Sequence, residues 1–168
     1  MIKKESGLPE INHNMEVHMS KYPEKKVKNQ WYKKVCDSVM ARNELLSKVW
    51  AYEYGVIWNG MEGVWRFTGD SRYFDYIKNS VDTFVSEDGS SVRGYKREAY
   101  NVDLVNNGKQ LLMLYAETKD PKYKRAADMF RDQFREHPRT SEGGFWHKQI
   151  YPWQMWLGGI YMASPFLA

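Results

Sequence analysis

Two stretches of this 168-residue sequence gather the side chains best suited to chemistry. The first runs Tyr100-Asn101-Val102-Asp103-Leu104-Val105-Asn106-Asn107-Gly108-Lys109, where one carboxylate stands among amides. Two readings of it stay open: Asp103 points into a cleft, for proton transfer or binding, or Asp103 or Asn107 caps the helix that carries Leu111, Leu112 and Leu114. The second stretch, Pro138 to Ala168, places Arg139, Trp146, His147, Lys148, Trp153 and Trp156 among glycine and proline. That is the composition of a loop bearing a site. Arg139, His147 and Lys148 together suit an anion such as a carboxylate, held by charge-assisted hydrogen bonds.

Other chemistries have no footing. There is no cysteine pair, His-Glu-x-x-His string or cluster of carboxylates for a metal, no Gly-x-x-x-x-Gly-Lys phosphate loop and no Gly-x-Ser-x-Gly elbow. No structural zinc is expected. Aromatic content is 15%, with seven tryptophans, which is high for a charged chain. Most of these rings belong to a core, and the remainder suit a cleft that stacks on sugar faces.

The chain is long enough for one domain, which at this size buries roughly 70% of its unfolded surface. The single Cys36 rules out an internal disulfide. Residues 1–34 carry eight lysines against four glutamates, an excess equal to the whole net charge of +4. A basic leader is expected there, not a nucleic-acid surface. With no signal sequence or membrane anchor in evidence, the expected location is the cytoplasm. Residues 1–24 read as this leader with a weak helix on Ile11, Met15, His18 and Met19, stopped at Pro23.

Residues 25–168 read as a second, helical body. Trp31, Val35 and Val39, with Cys36 and Met40, form an apolar stripe at helical spacing, and Trp58–Phe67 reads as a buried helix. Gly55, Gly60 and Gly63 are expected at close helix or ligand contacts. Thr68-Gly69-Asp70-Ser71-Arg72-Tyr73 recurs fifty residues on as Thr118-Lys119-Asp120-Pro121-Lys122-Tyr123. In each copy one helix runs into a Thr-x-Asp turn and the aspartate caps the next. A two-helix period of this length predicts an all-α stack of hairpins, either an open solenoid or a closed α/α toroid. Only Asp88–Tyr95 reads as a short β-hairpin.

The Thr-Gly-Asp-x-x-Tyr repeat, Trp50-x-Tyr52-Glu53-x-Gly55, Tyr100-Asn101-Val102-Asp103, Gly108-Lys109-Gln110-Leu111-Leu112 and, above all, Gly143-Gly144-Phe145-Trp146-His147-Lys148 followed by Tyr151-Pro152-x-Gln154-Met155-Trp156-Leu157 resemble the unsaturated rhamnogalacturonyl hydrolases. These form glycoside hydrolase family 105, related to the unsaturated glucuronyl hydrolases, and the resemblance covers about residue 42 onward, the family's N-terminal half. It implies an (α/α)6 toroid, here about half of the ring. The implied substrate is a pectin-derived oligosaccharide with a C4=C5 double bond in its terminal uronic acid. An aspartate protonates C4, water adds at C5, and the hemiketal opens to release the neighbouring sugar, with no cofactor. By the same resemblance Asp103 is the second cleft carboxylate, His147 and Lys148 flank the sugar, Trp50 and Tyr52 form an aromatic entrance, and Arg139 belongs to the motif.

The family's catalytic aspartate lies in a Met-Trp-Leu-Asp-Gly string, which here reads Met155-Trp156-Leu157-Gly158-Gly159. The resemblance therefore implies a chain of absent or very weak activity. Half a toroid would also expose helix faces made for burial, so association with another copy or with a complementary C-terminal half is expected. Beside the hydrolase lineage stand two further readings, a non-catalytic uronate-binding module and a helical-repeat interaction protein.

Overall fold

The computed structural model describes residues 30–168, so the expected leader and its helix lie outside the described residues. The repeat sets the architecture. Helix α2 (Tyr52–Thr68) ends where Thr68 Oγ1 donates to Val64 O at 2.7 Å, and Asp70 N donates to the same hydroxyl at 3.2 Å. Gly69, at φ 70°, turns the chain, and the Asp70 carboxylate accepts Arg72 N at the start of α3 (Ser71–Asp82). The second copy repeats each bond between α5 (Gly108–Thr118) and α6 (Pro121–Glu136): Thr118 Oγ1 to Leu114 O at 2.7 Å, Asp120 N to Thr118 Oγ1 at 3.2 Å, and Lys122 N to Asp120 at 3.0 Å. Lys119 takes the turn at φ 59°, a conformation that is free for glycine and strained for lysine.

The repeated tyrosine joins one hairpin to the preceding helix. Tyr73 is fully buried and donates to Asp37 Oδ1 at 2.9 Å, on α1 (Trp31–Arg42). Tyr123, also fully buried, donates to Asp82 Oδ1 at 2.7 Å on α3. Helices α1, α3 and α6 thus form one layer, with α2, α5 and α7 (Leu157–Leu167) as the other. Removing the Tyr123 hydroxyl as Tyr123→Phe is expected to lower stability by about 1.5–3 kcal/mol, the range for a hydrogen bond to a charged partner. Tyr73→Phe should lower it less, because Asp37 is half exposed. Urea unfolding of the two variants checks the order.

The described residues are all-α, an arc of an α/α toroid. Trp50, Trp58, Phe84 and Phe130 pack at ring separations of 5.2–6.0 Å in the core, with Ile77, Leu111 and Leu114. Three expectations change. Helix α2 starts at Tyr52, ahead of Trp58, and Phe67 at its end is exposed. In α1 only Cys36 of the apolar stripe is buried, while Trp31 and Val35 face outward. Of the three glycines, only Gly55 sits at a close contact, where a Cβ would collide with the amides of Asn106 and Asn107; a Cβ added at Gly60 or Gly63 would point into open space. The segment around Asp88 forms one antiparallel bridge, Val85 with Val92, and a second, Arg139 with Phe145, closes a turn in the terminal stretch. Among the described residues no helix is long and apolar enough to cross a membrane.

Candidate functional site

The short helix α4 (Val102–Val105) decides the role of Asp103. Its cap is Asn101, whose side-chain oxygen accepts Asp103 N at 3.0 Å, so the Asp103 carboxylate is free of capping. Asn107, before α5, makes no side-chain cap either; its amide donates to Ala51 O at 3.0 Å. The terminal stretch is sewn to the same turn: Val102 N donates to His147 O at 3.2 Å and Gln149 N to Ala99 O at 2.9 Å. Within the stretch, His147 N donates to Gln154 O at 2.7 Å. These bonds bring two segments more than forty residues apart into one site.

There, Asp103 Oδ2 lies 2.9 Å from Lys148 Nζ and 3.3 Å from His147 Nε2. The His147 ring is 4% exposed and stacks on Trp156 at 4.1 Å, 11° from parallel. Burial pushes the His147 pKa below its ordinary 6.5, with Lys148 acting the same way against the opposing pull of Asp103. A neutral imidazole beside a carboxylate keeps its proton on Nε2, leaving Nδ1 a bare acceptor. Nδ1 is buried without a partner and faces the first turn of α7, 3.5 Å from where a Cβ on Gly159 would stand. A cavity of about 180 Å³ opens there, bounded by Val102, Arg139, Phe145, His147, Trp156 and Gly159.

The other expected site residues divide. Trp153 is 70% exposed and meets Trp146 edge-on at 5.0 Å, so it presents a face to solvent. Arg139 is drawn aside: its guanidinium donates to Gly143 O at 2.6 Å and lies over Phe145 at 3.9 Å. Lys148 is paired to Asp103, while Arg139 and His147 both border the cavity. Tyr52 is partly exposed at the start of α2 and does not border the cavity, and Asp103 and Lys148 stand behind His147, outside its immediate lining. Trp50 is no entrance residue: it is 1% exposed, and its indole N–H donates to Leu104 O at 2.9 Å. An aromatic between apolar neighbours serves core and cleft equally well in sequence, and packing chose the core.

Three contributors escape a reading by residue type. Gln154 accepts His147 N on its carbonyl and the Trp156 indole N–H on its side chain at 3.0 Å. Tyr151 stacks on Trp156 at 5.2 Å. His137, buried at the end of α6, has Nδ1 3.1 Å from Gln133 Nε2 and Nε2 2.8 Å from Trp146 O, and so anchors the residue preceding His147. Burial lowers its pKa as well, with Arg139 adding to the effect and the Trp146 carbonyl opposing it.

Both histidines therefore hold a proton less readily folded than unfolded. Their contribution to stability is intact above the unfolded value near 6.5 and is lost as pH falls from there toward the lower folded values. Thermal melts between pH 8 and pH 5 should show a midpoint that is level at first and then declines, with a shallower decline in His137→Gln.

The Glycosyl Hydrolase Family 88 model matches residues 25–168. A solved structure, described as a C. acetobutylicum ATCC 824 glycoside hydrolase from family 105, is 46% identical and superposes with a TM-score of 0.78 over 82% of this chain. The match covers 38% of that protein, so the chain spans well under half of its length. A family match that takes in the α-hairpins, Asp103 and the whole terminal stretch shows that this chain belongs to Glycosyl Hydrolase Family 88.

Proposed function

We propose that the cavity at the start of α7 receives the unsaturated uronyl end of a pectin-derived oligosaccharide, and that this chain holds the sugar without turning it over at a useful rate. The observation that carries the reading is the grouping of Asp103, Lys148 and His147 at 2.9 and 3.3 Å beside the first turn of α7, where Gly158 has no side chain. Hydration of the C4=C5 bond needs a proton delivered to C4 and a water aligned on C5. One carboxyl group of suitable pKa can serve both steps, unlike the paired carboxylates of displacing glycosidases.

Asp103 is poorly arranged for proton delivery. Its Oδ2 already faces two donors, Lys148 and His147, which suits it to fix the histidine and to accept a sugar hydroxyl. The exposed ring of Trp153 is suited to stack on the sugar. With no acid at position 158, the proton step lacks its group, and losing such a group typically lowers the rate by about 10²–10⁴-fold. The test follows the ultraviolet absorbance of the double bond in an unsaturated uronyl disaccharide. Absorbance should stay at the buffer rate with the unmodified chain, and rapid enzymatic loss would contradict the proposal.

A binding module without catalysis is the same reading carried to its limit, and Gly158 is the observation that favours it.

A further inference from the structure

The peptide group between Trp146 and His147 is held at both of its polar ends. Its carbonyl, Trp146 O, lies 2.8 Å from His137 Nε2, and its N–H, on His147, donates to Gln154 O at 2.7 Å. The Gln154 contact comes from within the terminal stretch, whereas His137 reaches in from the end of α6. The imidazole of His137 is buried, with Phe134 stacked on it at 5.3 Å and 8° from parallel. Phe145 meets it edge-on at 5.1 Å, and Tyr100, from the segment that carries Asp103, does so at 5.4 Å. Packing as well as hydrogen bonding therefore sets the direction of this ring.

The partners of His137 fix where its proton sits. A carbonyl only accepts, so the nitrogen facing Trp146 O, Nε2, carries a hydrogen. Nδ1 then accepts the amide N–H of Gln133 at 3.1 Å, and the amide oxygen of Gln133 accepts the hydroxyl of Tyr95 at 2.8 Å. Donation runs one way along this chain, from Tyr95 through Gln133 and His137 to Trp146 O. A second proton on Nδ1 would meet the Gln133 N–H, and both Gln133 and Tyr95 would have to turn round to receive it. Burial, with Arg139 acting the same way, also disfavours that charge. A buried chain in which every member is satisfied in one arrangement specifies that arrangement.

We propose that His137 is a positioning residue for the sugar site: its Nε2–H fixes the plane of the Trp146–His147 peptide and, through it, the direction of the His147 ring. Rotation of that peptide changes the backbone angles from which the His147 side chain departs. The ring has two demands to meet at once, Nε2 at 3.3 Å from Asp103 Oδ2 and Nδ1 toward the first turn of α7. Tyr95 and Gln133 serve the same end by holding His137 in the tautomer that grips Trp146 O. The part played in sugar binding rests on the uronate reading above; the arrangement of the two histidines does not.

The test begins with the unmodified full chain, isotopically labelled at histidine. In mildly alkaline solution, long-range proton–nitrogen spectra should show His137 and His147 each protonated on Nε2 alone, and a proton on Nδ1 of His137 would overturn the proposal. His137→Gln, whose amide reaches as far as the imidazole Nε2, should leave the His147 signals as in the parent. His137→Asn, too short to reach Trp146 O, should shift or broaden them while its circular dichroism stays helical. The Asn variant should also bind an unsaturated uronyl disaccharide about three- to tenfold more weakly, the effect of one net hydrogen bond, and the Gln variant as the parent does. His147 signals unchanged in a folded His137→Asn, or changed alike in both variants, would overturn the proposal; should His137→Asn not fold, the spectrum of the parent and the Gln variant decide it. A parent that binds no disaccharide would count against the uronate site alone, because the spectra need no sugar.

Discussion

Replacing Gly158 with aspartate is expected to raise hydration of an unsaturated uronyl disaccharide by about 10²–10⁴-fold over the unmodified chain, the contribution of a positioned proton donor. The position is ready for the side chain. A Cβ at residue 158 meets nothing within 4 Å, and its neighbour Gly159 faces the unpartnered Nδ1 of His147. The first turn of α7 has no acidic residue and no side-chain cap. A carboxylate there gains about 0.3–1 kcal/mol from the helix dipole, and loss of the helical glycine adds up to about 1 kcal/mol. Gly158→Asp should therefore melt no lower than its parent, which separates a failure of chemistry from a failure of folding. A well-folded Gly158→Asp variant with the parent's rate would show that the missing carboxylate is not what limits this chain.

The second large effect concerns stability. Trp50→Ala is expected to destabilise the protein by about 3–5 kcal/mol, the range for removing a large buried aromatic. For a domain of this size that is a fall in melting temperature of roughly 6–20 °C. The indole is packed against Trp58, Phe84 and Phe130, and its N–H holds Leu104 O, in the residue next to Asp103. An entrance residue would behave otherwise: its loss would weaken sugar binding and leave the melt almost unchanged. Trp153→Ala should follow that second pattern, since Trp153 is mostly exposed.

These two tryptophans show how far the sequence could be read. Caps and turns were legible because they are local: Thr68, Asp70, Thr118 and Asp120 make their bonds within four residues, and each does what its type and spacing predict. Asp103 was legible as one of two alternatives, and the choice between them needed only the capping role of Asn101. Whether a ring is wall or core depends on distant neighbours, which is why Trp50 was misplaced. The fate of the cations was hidden for the same reason. Lys148 finds Asp103 forty-five residues away, and Arg139 turns to Gly143 O only because the Arg139–Phe145 bridge brings them together. The contributions of Gln154 and Tyr151 lie in what they hold in place, through a backbone carbonyl and a ring face, and residue type alone does not announce either.

Asp103 also separates binding from catalysis, because it touches Lys148 and His147 but does not carry the acid's position. The most direct measurement is a calorimetric titration of the unmodified chain with an unsaturated uronyl disaccharide, repeated with Asp103→Asn after circular dichroism confirms its fold. A saturable heat in the parent, weakened at least about tenfold by Asp103→Asn, or roughly 1.4 kcal/mol, is the predicted result. No saturable heat in the parent, or a heat that Asp103→Asn leaves unchanged, would contradict a uronate site at this cavity.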